Sequence, residues 1–306
     1  MPRLWRRSAA AAPLLLLVAA AGQAQPRTRA DCEAAHAAAW GRVGKDVPWV
    51  PTFDAVVLAM LSVTQVTPQD IVLDLGAGDG KIAIAAAKPP YGARAVGIEF
   101  DPDLAKLATC LVQVEGVADK VRIVEGDIFK EDFGDASVVT MYLLPHINLC
   151  VRHRILALAP GTRVVSHEYT MAEWVPDKSI QIQGRDLHSW VVPARVDGFW
   201  EFEDSQGTTF AVDLRQSFGT LSGEITRKGV PEPIRSAAVH GRELRFSFDT
   251  AGVAGEFAGT VRGGEITGML RTGTAARTVT GQLRGALRSG AWAEMPPDCS
   301  RYYDRQ

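Results

Sequence analysis

The chain has 306 residues, of which 46% are hydrophobic and 22% are charged, and its formal net charge is −2. This composition fits a globular protein, and the length predicts two domains. The basic residues are scattered and the charge is near zero. Neither property gives an electrostatic reason to expect binding to nucleic acid or to an anionic membrane, so no nucleic-acid partner is predicted.

The first 24 residues have the composition of a secretory signal peptide. Residues 1–7 are basic, residues 8–21 are rich in Ala and Leu, and Gly22 and Ala24 are small residues before a cleavage site. The apolar run is shorter than the roughly 20 residues that span a bilayer. We therefore expect an exported, periplasmic protein with no transmembrane segment in the mature chain. The alternative is a misassigned start codon and a cytoplasmic protein.

Two helices are predicted before the first strand. Ala30 to Trp40 has the composition of a short helix. After two prolines, the apolar residues between Phe53 and Val63 recur at helical spacing, and Thr52 is the predicted N-cap of that helix.

The most informative segment is Ile71-Val-Leu-Asp-Leu-Gly-Ala-Gly-Asp-Gly80. A strand ends in Asp74, the glycines Gly76, Gly78 and Gly80 follow, and a helix begins, which brings backbone close to a ligand. The spacing is G-x-G-x-G, whereas dinucleotide-binding loops have G-x-G-x-x-G. Asp74 and Asp79 make the loop acidic, which disfavours a pyrophosphate and favours a cationic ligand. S-adenosylmethionine (SAM) carries a sulfonium and an amino group and fits this requirement.

Two later strands also end in acids. Glu99 closes the second predicted strand about 20 residues after the glycines, where a carboxylate accepts hydrogen bonds from ribose hydroxyls. Asp127 closes the third, where it would accept a hydrogen bond from an adenine amino group, with Ile128 against the ring. One acid at a strand end is ordinary turn chemistry. The ordered series over about 100 residues predicts a cofactor site.

The end of the fourth and fifth strands should hold the methyl acceptor. Tyr142 would bind an amine through its ring or hydroxyl, and His167 would act as a base near neutral pH. Each also has a structural reading, as packing. Trp49 and Trp174 would form an aromatic rim over the site or belong to the core. No metal site is predicted.

The segment from Val72 to His167 resembles the class I SAM-dependent methyltransferases. Within them it is most similar to the lysine methyltransferases that modify the ATP synthase c-subunit and to their bacterial relatives. Two departures concern the acceptor side: His146 and Glu168 stand where that branch is expected to have an acidic residue and an aspartate. The matching segments, within residues 46–178, are Val47-Pro-Trp-Val-Pro51, Asp74-Leu-Gly-Ala-Gly-Asp-Gly80, Val138-Val-Thr-Met-Tyr-Leu-Leu-Pro145 and Arg163-Val-Val-Ser-His-Glu168.

The resemblance implies an α/β fold with a Rossmann-like, seven-stranded, mostly parallel sheet whose last strand is reversed. It also implies SAM as the cofactor and a protein amine, lysine, as the acceptor, although an acidic pocket would equally serve a small-molecule amine. We assign residues 25–193 to this domain. A competing hypothesis is a non-catalytic exported envelope protein that keeps the scaffold and binds through its second domain.

Residues 194–306 have a different pattern. Short alternating segments separated by glycines recur about every ten residues, which predicts an all-β antiparallel barrel or sandwich. This domain would be a structural or dimerisation module, a lipocalin-like pocket, or a surface that recruits a substrate. The sequence does not indicate an oligomeric state.

The chain has four cysteines and none with C-x-x-C spacing, which argues against zinc. Cys32 and Cys299 lie near opposite ends of the mature chain, and they either form a disulfide in an oxidising compartment or remain free. Cys110 and Cys150 lie in apolar segments and are predicted to be core residues.

Overall fold

The computed structural model describes residues 28–36, 48–250, 252–288 and 290–303. The predicted signal peptide lies outside these residues, as do residues 37–40 of the first predicted helix. Within the described chain, none of the helices combines the length and the apolar character that crossing a bilayer requires.

A mixed sheet forms the first part of the described chain. Its strands lie in the order β3-β2-β1-β4-β5-β7-β6. Strands β1 to β5 are parallel, and β7 is antiparallel to its neighbours β5 and β6. The predicted Rossmann-like sheet with a reversed last strand is confirmed. The strands are β1 (Ile71–Leu75), β2 (Arg94–Glu99), β3 (Val121–Glu125), β4 (Val138–Met141), β5 (Arg163–His167), β6 (Lys178–Ile182) and β7 (Arg185–Val191).

Helices cover both faces of this sheet. Apolar side chains of α2, α3 and α4 pack on one face, while α5 packs on the other, so the strands are buried from both sides. The strand order reverses between β1 and β4, which opens a crevice at the carboxyl ends of the strands. The helices are α1 (Arg29–Ala35), α2 (Asp54–Val63), α3 (Lys81–Ala87), α4 (Pro102–Val114) and α5 (Pro145–Ile155).

Prolines begin two of these helices. Pro102 is the first residue of α4, and the Asp101 carboxylate caps it by accepting from the backbone N–H of Asp103 at 2.9 Å. Pro145 begins α5. The predicted cap of α2 was wrong: its N-cap is Phe53, with no side-chain capping bond, whereas Thr52 faces the crevice.

The remaining strands close into an antiparallel barrel. In the described chain, eight of them form a ring, because β9 pairs with both β8 and β10, while the short β11 pairs with the far end of β10. The barrel, and not the sandwich, is the observed form. The strands are β8 (Gly198–Asp204), β9 (Thr209–Ser217), β10 (Thr220–Arg227), β11 (Val230–Pro233), β12 (Arg235–His240), β13 (Glu243–Thr250), β14 (Val253–Arg262), β15 (Glu265–Thr272) and β16 (Ala275–Arg284).

Aromatic rings fill the barrel interior. Phe202 and Phe210 stack at 5.0 Å between ring centroids, and Phe257 meets Phe202 edge-on at 5.5 Å. Glycines on adjacent strands make room for these rings: a Cβ at Gly281 would lie 2.5 Å from Phe202. Side chains thus occupy interior space that a lipocalin-like pocket, one of the three alternatives for this domain, would leave for a ligand.

The barrel is docked on the methyltransferase-like sheet through its β9–β10 turn. Phe218 in that turn stacks on Trp174 at 6.0 Å, and the Arg152 guanidinium of α5 lies 5.1 Å from its ring centroid. Gln216 is buried, and its side-chain amide donates to the carbonyl oxygens of Ala194 and Phe218. These hydrogen bonds join the segment between β7 and β8, which contains Ala194, to the β9–β10 turn.

After β16 the chain returns to the first domain. Residues 290–303, which we call the C-terminal clasp, form two 3₁₀ turns and the short helix α6 (Ser300–Tyr303) against α5. Disulfides join Cys150 to Cys299 and Cys32 to Cys110. The predicted Cys32–Cys299 pair was wrong. Since α1 packs on α4 while the clasp packs on α5, the two terminal cysteines meet different partners. Cys110 and Cys150 are buried as expected, but both are disulfide-bonded.

Candidate functional site

A cleft lies at the carboxyl ends of β1 to β4. Its volume is about 1020 Å³, including the part open to solvent. Residues 48–52, which we call the strap, cross one side of the cleft just before α2. Of the predicted site residues, those that line the cleft are Asp74, Gly76, Gly78, Asp79, Glu99, Asp127, Ile128 and Tyr142.

Asp74 lies at the floor of the cleft and is only 2% exposed. One carboxylate oxygen, Oδ1, accepts a hydrogen bond from the Thr140 hydroxyl at 2.8 Å. The other, Oδ2, is buried and has no hydrogen-bond partner among the described residues. Burial raises the pKa of Asp74 to about 7, and the nearby carboxylates of Asp79 and Glu99 act in the same direction. An orphaned acceptor in a ligand cleft indicates that a donor is supplied from outside the protein.

The glycine loop brings backbone to the cleft surface. Gly76 and Gly78 have φ values of +73° and +56°, which disfavour other residues. A Cβ at Gly78 would lie 2.5 Å from Nε1 of Trp49 in the strap, and one at Gly76 would lie 2.8 Å from the Leu143 side chain. Gly80 does not line the cleft. It is the N-cap of α3, where a Cβ would press on Ala108, so its role is packing.

Glu99 is held by two backbone donors. Its Oε2 accepts from the N–H of Gly78 at 2.7 Å, and its Oε1 accepts from the N–H of Asp101 at 2.8 Å. Burial raises its pKa, although these hydrogen bonds act in the opposite direction. Each oxygen keeps a lone pair for a ligand hydroxyl, which suits a ribose.

Asp127 and Ile128 lie on the neighbouring wall, in the loop after β3. The Asp127 carboxylate accepts from the N–H of Phe129 at 3.0 Å. Phe129 also lines the cleft, so an apolar ring and side chain stand beside an acid at this end. This combination suits a flat heterocycle with an exocyclic amino group.

The two predicted catalytic residues occupy different positions. The Tyr142 ring lines the cleft, and burial raises the pKa of its hydroxyl. His167 is 2% exposed and lies against that ring, with 3.9 Å between ring centroids. Burial lowers the pKa of His167 to about 4, and both ring nitrogens have no hydrogen-bond partner among the described residues. This position behind Tyr142 does not favour a role for His167 as base.

Sequence reasoning missed several contributors to the cleft. Lys81 donates from Nζ to the Thr52 carbonyl at 3.1 Å and pairs with Asp54 at 3.0 Å, which ties the strap to the start of α3. Its place directly after the glycine motif was the available signal. For the two tryptophans the sequence left two alternatives, a rim over the site or the core. Trp49 lines the cleft, whereas Trp174 is a core residue that packs against Phe218. Leu143 belongs to the matching segment that ends at Pro145, but no role was predicted for it, and Ile147 and Phe129 carry no motif that reveals them.

The residues present fit SAM. The wall holds five carboxylates, and Lys81 is its one lysine or arginine among the described residues. A carboxylate with a bare oxygen faces the cleft, and the glycine loop leaves the space in which a ligand can approach backbone. A ligand with two cationic centres and a ribose would be complementary to this surface. Among the described residues, no group of three or more His, Cys, Asp or Glu is arranged to hold a metal ion.

Comparisons with known proteins find methyltransferases. The family model described as the ANTKMT methyltransferase domain matches residues 74–178. A "Protein-lysine N-methyltransferase" of Saccharolobus islandicus is 40% identical over 146 residues, which are 47% of this chain and 91% of that protein. A lysine N-methyltransferase of the ATP synthase c-subunit, from Xenopus laevis, is 31% identical over 43% of this chain and 57% of its own length.

The chain thus spans little more than half the length of this vertebrate relative. Among solved structures, an RNA methyltransferase from Salinibacter ruber in complex with S-adenosyl-L-homocysteine (SAH) is 44% identical. It covers 48% of this chain and 96% of its own, with a TM-score of 0.47.

Proposed function

The chain belongs to the family of SAM-dependent methyltransferases that contains the ANTKMT methyltransferase domain, and from this membership we propose that it methylates a protein amine, the side chain of lysine. The observation that carries the proposal is the 40% identity to the Saccharolobus islandicus protein named a protein-lysine N-methyltransferase, over 91% of that protein's length. The non-catalytic alternative has no comparable support.

SAM, when bound, would supply a methyl group on a sulfonium. The lysine ammonium would first lose a proton to solvent, and the neutral amine would then take the methyl group in line as the carbon–sulfur bond breaks and SAH leaves. The protein's contribution is to hold the partners and to exclude water. Asp74 would receive the amino group of the methionine part, the backbone at Gly76 and Gly78 would lie along it, and Glu99 would hold the ribose. Asp127 and Ile128 would hold the adenine.

The surface around Tyr142 supports a cationic acceptor. Glu168 has a φ of +67°, a strained backbone for a glutamate, and its carboxylate lies 3.0 Å from the Arg185 guanidinium. That guanidinium lies 5.7 Å from the ring centroid of Phe53, which is 58% exposed. This carboxylate and this aromatic face already hold one cation, the Arg185 guanidinium, so the surface beside Tyr142 accepts cationic groups. Because the pKa of Tyr142 is raised, its hydroxyl is protonated at neutral pH and accepts a hydrogen bond from an amine.

The test is the chemical identity of the methylated product. Purified protein would be incubated with isotopically labelled SAM and, separately, a peptide library, the same library with arginine in place of lysine, and total RNA. Methyllysine in hydrolysates of the first library alone is the expected result, with Gly78→Arg as an inactive control. Label in RNA or in the arginine library would contradict the lysine assignment.

We also propose that the enzyme works in an oxidising compartment. The composition of residues 1–24 supports this, and so do the two disulfides, since such bonds persist outside the reducing cytoplasm. Because SAM is made in the cytoplasm, the protein would be exported with its cofactor bound. Cell fractionation with mass spectrometry of the N-terminus tests this. A cytoplasmic protein that retains Met1 would contradict it.

A further inference from the structure

The C-terminal clasp reaches the cofactor cleft from behind. It lies outside residues 74–178, the part matched by the methyltransferase family model. After the barrel, the chain crosses back to α5, and Cys299 and Tyr302 become almost fully buried there. The clasp therefore adds a layer to the first domain that the family match does not include.

The clasp contacts the cofactor cleft through Phe129. One side of this residue lines the cleft next to Asp127 and Ile128. Its ring stacks on Tyr302, with 4.8 Å between centroids and 21° between planes. The Tyr303 ring meets it edge-on at 5.2 Å. Phe129 is thus enclosed between the cleft and two clasp tyrosines, and its backbone N–H orients the Asp127 carboxylate.

The clasp is fastened to α5 by two links, both at Cys150. The Tyr303 hydroxyl donates to the carbonyl oxygen of Cys150 at 2.8 Å, and the same cysteine forms the disulfide with Cys299. From the next turn of α5, the Arg154 guanidinium donates to the carbonyl oxygens of Ile128 and Glu131. The loop after β3, α5 and the clasp therefore form one connected unit.

We propose that the clasp is part of the cofactor site: Tyr302 is a positioning residue that holds Phe129 and Asp127 where adenine binds, and the Cys150–Cys299 disulfide keeps it in place. The inference rests on the proposed adenine role of Asp127. It follows that thiol reductants weaken cofactor binding at a distance from the glycine loop. A clasp that only anchors the barrel, through contact of Trp292 with Phe218 at 5.3 Å, would have no such effect.

The first experiment uses the full chain with Cys150→Ser and Cys299→Ser, and the matched pair Cys32→Ser and Cys110→Ser as the control. Calorimetry would measure the dissociation constants of SAH and of adenosine, which probes the adenine and ribose end alone. We expect both constants to rise by the same factor, about tenfold, in the first variant, because an aromatic stack is lost. The control should change by less than twofold. The control protein retains only the Cys150–Cys299 bond, so dithiothreitol should weaken its binding by the same factor.

The second experiment separates positioning from folding. Tyr302→Phe keeps the stacked ring and should bind SAH within twofold of the wild type, whereas Tyr302→Leu should show the tenfold loss. In turnover, Tyr302→Leu should raise KM for SAM and leave kcat within twofold, since Tyr302 acts through Phe129 and the Asp127 carboxylate on the proposed adenine side. Unchanged SAH and adenosine binding in folded Tyr302→Leu protein overturns the inference alone. If wild-type protein binds no SAH, the cofactor assignment and the inference both fall.

Discussion

Replacement of Asp74 by asparagine tests the electrostatics of the cleft floor. The amide has almost the same shape and still accepts the Thr140 hydroxyl bond, but it does not ionise. In the ligand-free protein, burial raises the Asp74 pKa from 3.8 to about 7. The folded state therefore holds the proton more tightly than the unfolded state, and stability falls as pH rises from about 4 to about 7.

The shift in the Asp74 pKa sets the expected difference in free energy of unfolding between the two proteins. A difference of about 3 pKa units corresponds to about 4 kcal/mol. Above pH 7, ligand-free Asp74→Asn should exceed the wild type in free energy of unfolding by up to that amount, and the two should converge below pH 4. In SAH affinity the wild type should instead exceed Asp74→Asn, because the ligand's ammonium binds the ionised carboxylate. Loss of this ion pair in Asp74→Asn should cost about 2 kcal/mol of binding free energy at pH 8, or roughly 30-fold in affinity.

Calorimetry in two buffers of different ionisation enthalpy would measure the protons released when SAH binds. Between about pH 5.5 and pH 7 the wild type should release up to one proton more than Asp74→Asn. Over the same range its affinity for SAH should fall by up to about 30-fold, to the level of Asp74→Asn. Urea titrations at pH 4, 6 and 8 supply the stability comparison. Parallel pH curves for the two proteins, in both affinity and stability, would refute a protonated Asp74 in the empty cleft.

Three further substitutions test other parts of the structure. Gly78→Ala should weaken SAH binding at least tenfold by displacing the strap tryptophan, whereas Gly134→Ala, with a similar φ of +54° and no atom within 4 Å, should not. Tyr142→Phe should lower kcat with SAH affinity unchanged; equal turnover would remove the hydroxyl from the reaction. Gly281→Ala should destabilise the barrel by about 1–3 kcal/mol in urea unfolding, because its Cβ meets a phenylalanine ring. Gly264→Ala, in open space, is the control, and equal losses would contradict the packing argument.

The cofactor side of the cleft is readable in the sequence because its signals are local. Asp74, Glu99 and Asp127 each end an apolar run, and in parallel strands such ends meet at one edge. The individual strands of the barrel are harder to predict from the sequence. Most of its strands alternate clearly, but β11 and much of β16 are exposed on both faces, so the apolar period that reveals a strand is missing.

The rest of the site depends on packing between distant segments. Phe129 and Tyr302 lie far apart in sequence, and neither belongs to a motif. The disulfide pairing failed for the same reason, since it is decided by which helix each terminal segment packs against. Thr52 had the right chemistry for a cap, but the tie from Lys81 to its carbonyl holds it at the cleft instead.

Closure of the barrel limits how another protein can bind to it. Each strand of the ring has a neighbour on both sides, although β12 meets β10 at a single register pair, Thr220 with Ala238, so most of the ring offers no free edge to which a partner could add a strand. In β11, which lies outside the ring, Pro231 and Pro233 remove two of four backbone donors. A protein that binds this domain would therefore contact the side chains on the barrel surface. Single surface substitutions should then change which partner binds.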